Sequence, residues 1–211
     1  MIRPMVETAA PLPLVFFPGA GGRVENLLPI GERLAPRRET RICQYPGLGG
    51  VEPNPQLRTL SDLQRYLLGS LPPKFDLVTM SMGGVLALRI ALEQPERIRK
   101  LVLMATSGGV NVAALGALEW RDNFRKVQPN VPSWFVEDTT DVTHQLDRIP
   151  HPTLLIYGDA DLIAPPNVGH LLQQNLPNAR IEVIPNATHD LEIDHPDLIA
   201  AMIEAHLRKP E

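Results

Sequence analysis

The chain has 211 residues, 44% of them hydrophobic and 21% charged, with a net charge of −4 and a single cysteine. That is enough chain for one domain with a substantial core, in a composition ordinary for a soluble globular protein. The mild acidity and the lack of a long basic run argue against nucleic acid or an anionic membrane surface as a partner, and no apolar stretch approaches the length of a bilayer span.

The N-terminal stretch MIRPMVETAAPLPLVFFPG carries one arginine and an apolar run too short and proline-broken for a signal peptide, which points to a cytoplasmic protein. Within it, Leu14–Phe17 has the character of a first strand and runs into the loop Pro18-Gly19-Ala20-Gly21-Gly22. A helical pattern spans roughly Glu25–Leu34, and Arg41–Tyr45 follows as a second strand holding Cys43. A lone cysteine can form neither an internal disulfide nor a cysteine zinc cluster, so Cys43 is a packing residue. The turn Tyr45-Pro46-Gly47-Leu48-Gly49-Gly50 lets the chain leave the sheet tightly.

A helical pattern over Leu60–Leu71 leads to a third strand, Phe75–Thr79. The strand gives way at once to Met80-Ser81-Met82-Gly83-Gly84 and a helix over Gly83–Glu93, closed by Pro95. A fourth strand, Leu101–Met104, precedes an unusually long connection of about 45 residues, Thr106–Pro150, holding Trp120, Phe124, Trp134 and Phe135. Aromatics concentrated there suggest a small cap over a pocket, the plainer alternative being a crossover whose aromatics pack on the sheet. A fifth strand, Thr153–Tyr157, a helix over Asn167–Leu176, a sixth strand, Ile181–Ile184, and a helix over Asp197–Leu207 complete the chain.

The six runs are nearly continuous in Val, Leu, Ile and Phe, as expected of strands covered on both faces. Strand alternating with helix predicts a mostly parallel six-stranded sheet in a three-layer α/β/α sandwich with right-handed crossovers. No repeat or composition break divides the chain, so residues 1–211 form a single domain with a small cap-like insertion over about 107–150.

A strand, a sharp turn carrying one serine and a helix opening in glycines is the context of a nucleophile elbow, which leaves the Ser81 hydroxyl exposed above the strand's C-terminal end. A serine hydroxyl attacks only if an oriented base removes its proton. Of six histidines, His144 lies in the insertion and His151 beside it, His170 and His206 lie on helical patterns, and His195 precedes Pro196 at the entry to the last helix. His189 alone follows the last strand on a loop at the Ser81 edge of the sheet. The carboxylate that orients it belongs at a strand end too, and Gly158-Asp159-Ala160-Asp161 offers two candidates. The glycine loop after the first strand does not fit a nucleotide fingerprint, because Val24 takes the last glycine position and no G-K-[ST] follows.

Thr79-Met80-Ser81-Met82-Gly83 resembles the G-x-S-x-G signature of α/β-hydrolases, with Thr79 in place of the first glycine. Pro185-Asn186-Ala187-Thr188-His189 is similar to that family's histidine loop, and Gly158–Pro165 to its G-x-x-D-x-x-x-P element, which selects Asp161 over Asp159. The resemblance covers about Leu14–Leu207 and implies the order Ser81, Asp161, His189 for nucleophile, acid and base. It implies an oxyanion hole from the N–H groups of Ala20 and Met82, although the loop opens with Pro18 where the family often has histidine. It also implies a trimmed fold that lacks the family's first hairpin.

The activity implied is cleavage of a small-molecule carboxylic ester or thioester through an acyl-enzyme, with no cofactor and no metal. Trp120, Phe124, Trp134 and Phe135 would line an apolar acyl pocket. Same-fold acyltransferases, lyases and perhydrolases share this triad, and a non-catalytic ligand-binding relative is a further alternative. Serine rather than aspartate at the elbow disfavours the dehalogenase and epoxide-hydrolase branches.

Overall fold

The computed structural model describes residues 11–210, so residues 1–10 of the N-terminal stretch weighed above as a leader lie outside the described residues. Among the described residues, six parallel strands form one sheet: β1 (Leu14–Phe17), β2 (Thr40–Ile42), β3 (Phe75–Met80), β4 (Ile98–Met104), β5 (Thr153–Gly158) and β6 (Ala179–Ile184). Their spatial order is β2-β1-β3-β4-β5-β6, so the chain starts near the middle and winds outward in both directions. Ser81 therefore follows one of the two central strands, where the order reverses and crevices form at strand ends.

Helices cover both faces. Leu63 and Leu67 of α2 (Leu60–Leu68), Leu86 and Ile90 of α3 (Met82–Glu93) and Val168 and Leu172 of α6 (Pro166–Asn175) share a core with Leu77, Leu101 and Leu155 of the sheet. Ile30 and Leu34 of α1 (Leu28–Leu34) and Ile199 and Ile203 of α8 (Pro196–Arg208) share the other with Phe16, Val78 and Val102. The period-two alternation of each strand divides its residues between the two cores, giving the α/β/α sandwich. No helix among the described residues is long and apolar enough to cross a membrane.

The differences from the sequence reading lie where charge or proline obscured a pattern. β4 begins at Ile98, because Arg99 and Lys100 are strand residues whose charges are met within the fold. Arg99 donates to the fully buried Asp76 at 2.8 and 2.5 Å, and Lys100 to the carbonyl oxygens of His206 and Leu207 at 3.2 and 3.3 Å. β2 and β6 are edge strands with partly exposed residues, unlike the fully covered strands expected. β2 stops at Ile42 although the Cys43 N–H still donates to Phe16 O at 2.9 Å. The first helical pattern divides into a 3-10 turn, Val24–Asn26, and α1, because Pro29 can occupy only a first-turn position.

Segment 107–150 carries α4 (Arg121–Val127) and α5 (Ser133–Glu137), and a four-residue helix α7 (Leu191–Asp194) lies between His189 and α8. Arg89 of α3 donates to Asp138 at 2.5 Å, tying the segment to the core. Both tying groups are largely buried, so the contact is screened by solvent much less than an exposed ion pair.

Candidate active site

β3 passes into α3 with Ser81 alone between them, and Ser81 is held at φ 50°, ψ −115°. A non-glycine residue there costs on the order of 1–3 kcal/mol and persists only when its surroundings hold it. Three contacts do so. The Ser81 N–H donates to Met104 O at 2.9 Å, and Ser81 O accepts from the Gly84 N–H at 2.9 Å and from Thr106 Oγ1 at 2.6 Å. The start of α3 is wedged between the ends of β1 and β4. A Cβ on Gly83 would stand 2.5 Å from Phe17 O, and one on Gly84 2.5 Å from Thr106 Oγ1.

Thr79 is accommodated without opening this turn. It is fully buried, and its hydroxyl donates to Val102 O on β4 at 3.2 Å. The strain sits at Ser81, and the close helix approach is made at Gly83 and Gly84.

The other two strand ends bring His189 and Asp161 to Ser81. Ser81 Oγ lies 3.1 Å from His189 Nε2, and His189 Nδ1 lies 2.8 Å from Asp161 Oδ2. Asp161 is 1% exposed, and its other oxygen accepts the N–H groups of Ile163 and Ala164 at 2.8 and 2.9 Å. A carboxylate only accepts, so Nδ1 carries the proton and Nε2 is left as acceptor for the serine hydroxyl. Asp159 sits in a turn closed by the Asp161 N–H to Gly158 O at 3.3 Å. Its Oδ1 accepts the N–H of Asn186 at 2.6 Å, where Asn186 has φ 60°, and so shapes the loop that carries His189.

The loop after β1 lies against the serine, since a Cβ on Gly19 would meet Ser81 Cβ at 3.4 Å. Pro18 contributes a carbonyl that accepts the buried Tyr45 hydroxyl at 3.1 Å, which supports the loop. Ala20 and Met82, Ser81 and His189 line one cavity of about 830 Å³. Met82 opens α3, where first-turn N–H groups lack intrahelical partners.

Trp120, Phe124 and Phe135 also line that cavity and pack on one another, with ring centroids 5.4–6.0 Å apart. Trp134 does not line it. This half-buried ring packs on the core, because adjacent residues of α5 point different ways and Phe135 takes the inward position.

Three site features lay outside the sequence reading. Thr106 bonds Ser81 O, and its own carbonyl accepts the Tyr157 hydroxyl at 2.5 Å. Asn26 and Glu192 line the same cavity. Glu192 is 3% exposed, one oxygen accepts from Asn26 Nδ2 at 3.4 Å, and the other, Oε2, has no hydrogen-bond partner among the described residues. Burial, with Asp190 adding to it, pushes its carboxyl up to about 7 against the opposing pull of its own N–H, Asn26 and His189. Cys43 is pushed up to about 11 by burial, as suits a packing residue. Among the described residues no group of three or more His, Cys, Asp or Glu side chains is placed to hold a metal ion.

A model of the alpha/beta hydrolase fold family matches residues 13–145. The pimeloyl-acyl-carrier-protein methyl ester esterase of Legionella pneumophila (strain Corby) is 25% identical over 93% of this chain and 95% of its own length. The poly(3-hydroxyalkanoate) depolymerase of Ectopseudomonas oleovorans is 28% identical over 99% of this chain and 89% of its own. Among solved structures, a hydrolase from Pseudomonas aeruginosa superposes with a TM-score of 0.77 at 21% identity, covering 96% of this chain and 92% of that one. A thermophilic esterase from Thermogutta terrifontis does so with a TM-score of 0.77 at 20% identity, covering 95% and 91%. At these identities the structural likeness is one of fold.

Proposed function

The chain belongs to the alpha/beta hydrolase fold family, and from that premise we propose that it is a serine esterase acting on carboxylic esters of small to medium acyl chains. The observation that carries this reading is the continuous hydrogen-bonded path from Ser81 Oγ through His189 to Asp161 at the wall of a cavity. The two relatives named for a methyl ester esterase and a depolymerase support carboxylic esters ahead of thioesters.

Ser81 Oγ attacks the ester carbonyl carbon as His189 Nε2 takes the hydroxyl proton. Asp161 holds Nδ1–H and stabilises the imidazolium that forms. The N–H groups of Ala20 and Met82 receive the oxyanion. His189 then gives its proton to the leaving alcohol, which departs as the carbonyl re-forms on the acyl-serine. Water, deprotonated by His189, attacks that acyl group, and collapse of the second tetrahedral intermediate returns the proton to Ser81 and releases the acid. Segment 107–150 serves as a small cap whose ring cluster packs on the acyl chain.

Intact-mass measurement after exposure to a fluorophosphonate tests the reading. A single adduct in the wild type, absent from Ser81→Ala, supports it, and an unlabelled wild type rejects it. Parallel rates on p-nitrophenyl esters and acyl-CoA thioesters of matched chain length then decide the substrate class.

A further inference from the structure

The contacts of Glu192 within the fold leave its carboxyl half satisfied. The residue is 3% exposed, holds one long contact of 3.4 Å to Asn26 and leaves Oε2 unsatisfied, in a setting where burial, the largest influence, raises its carboxyl to about 7. A half-satisfied buried polar group costs stability, and an apolar side chain of the same shape is as good or better for folding. Its position explains it better. Glu192 and Asn26 line the same cavity as Ser81 and His189, Asn26 at the end of the loop after β1 and Glu192 on α7, three residues beyond His189.

The two walls of that cavity rest on opposite layers of the sandwich. Trp120, Phe124 and Phe135 pack with the core under α2, α3 and α6. Leu27, the neighbour of Asn26, and Leu191, the neighbour of Glu192, belong to the core under α1 and α8. Ser81, at the sheet edge between the layers, shares its cavity with an aromatic cluster held by one core and an amide–carboxyl pair flanked by residues of the other. The two arms of an ester, spreading from the carbonyl carbon attacked, meet walls of different chemistry.

Building on the esterase reading, we propose that Asn26 and Glu192 form a polar subsite for a hydroxyl-bearing arm of the ester, the opposite arm lying on the Trp120–Phe124–Phe135 wall. The chemistry fits a hydroxyl. A carboxyl can accept its proton in either ionisation state, and the Asn26 amide can donate to its oxygen. The terminal torsion of a glutamate is soft and roughly two-fold, so its oxygens exchange places without moving the stem. A site with a buried, unpaired polar group discriminates against a substrate that leaves it unpaired.

Two matched pairs test this: propyl butyrate against 2-hydroxyethyl butyrate for the alcohol arm, and ethyl butyrate against ethyl 3-hydroxybutyrate for the acid arm. In the wild type the hydroxyl ester of one pair should have the higher kcat/KM by about tenfold, the worth of one good hydrogen bond. That ratio should fall toward one in Glu192→Met and Asn26→Ala, and survive in part in Glu192→Gln, which keeps an acceptor. Tm is measured alongside: Glu192→Met should melt no lower than the wild type, whereas a purely structural glutamate would lower Tm and both rates together. Measurable but equal rates within both wild-type pairs, or a ratio untouched in Glu192→Met, overturns the subsite. Calorimetric binding of the same four esters to Ser81→Ala keeps this independent of turnover. Tighter binding of a hydroxyl ester, lost in Ser81→Ala/Glu192→Met, upholds the subsite even if nothing is hydrolysed, an outcome that would reject only the esterase reading.

Discussion

A Cβ on Gly158 would stand 2.1 Å from the carbonyl oxygen of Ala187. The end of β5, which leads to Asp161, and the loop that carries His189 are thus packed backbone on backbone, joined by the Ala160 N–H to Ala187 O at 3.1 Å. Gly158→Ala must push the two loops apart, lengthening the 2.8 Å contact of His189 with Asp161. We expect a loss of about 1–3 kcal/mol, several degrees in Tm, from overpacking. Fluorophosphonate labelling of Ser81 should slow with it. A variant that melts and labels like the wild type would show that the close approach matters to neither.

The two aspartates after β5 have separable duties. Asp161→Asn keeps an acceptor for the Ile163 and Ala164 N–H groups but no longer orients the imidazole as a carboxylate does, so kcat should fall by about 10³–10⁴ with the fold intact. Asp159→Ala removes the acceptor for the Asn186 N–H and should cost about 1 kcal/mol with a much smaller fall in rate. Ester hydrolysis and thermal melting of both variants decide it, and the reverse ranking of rates would reject the assignment.

Thr79 fills its site, so restoring the glycine of the G-x-S-x-G pattern should harm this protein. Thr79→Val loses the bond to Val102 O and should cost about 1 kcal/mol. Thr79→Gly loses the buried side chain as well and should cost about 1–3 kcal/mol. Urea denaturation that found Thr79→Gly more stable than the wild type would contradict the packing described.

Burial holds His206 down to about 4 from its ordinary 6.5, with Arg180 and Lys100 adding to the shift. The unfolded chain protonates this imidazole below 6.5 while the folded one resists until about 4, so stability is lost as pH falls through that window. The loss is on the order of 3 kcal/mol at most, and His206→Leu should remove this part of the acid slope. Urea midpoints between those pH values test it; equal slopes in variant and wild type would count against it.

Glu192 works in the opposite sense. Its carboxyl ionises near 4.5 when exposed and near 7 in the fold, so the native state holds the extra proton and stability declines as pH rises from 4.5 to 7. Glu192→Gln, measured against the wild type, should gain relative stability across that rise and level off above it. A constant difference at every pH would mean that the carboxyl is not held neutral.

Much of this architecture was legible in the chain because its signals are local. Apolar runs ending in glycine, proline or aspartate mark the strand ends, and a parallel sheet brings every one of those ends to one edge. Hence Ser81, Asp161, His189 and the Gly19-Ala20 loop could be gathered from spacing together with a family resemblance before any coordinates. What only the tertiary structure decided involves partners far apart in sequence. Arg99 and Lys100 look like loop residues until Asp76 and the end of α8 meet their charges. Asp138 has no evident role until Arg89 reaches it, and Trp134 resembles its aromatic neighbours until the face of α5 turns it from the cavity. Glu192 is the plainest instance. In the chain it is one more acid near a helix start, and only burial beside Asn26, in the wall that Ser81 and His189 share, makes its chemistry matter, because the cost of a polar group depends on what surrounds it.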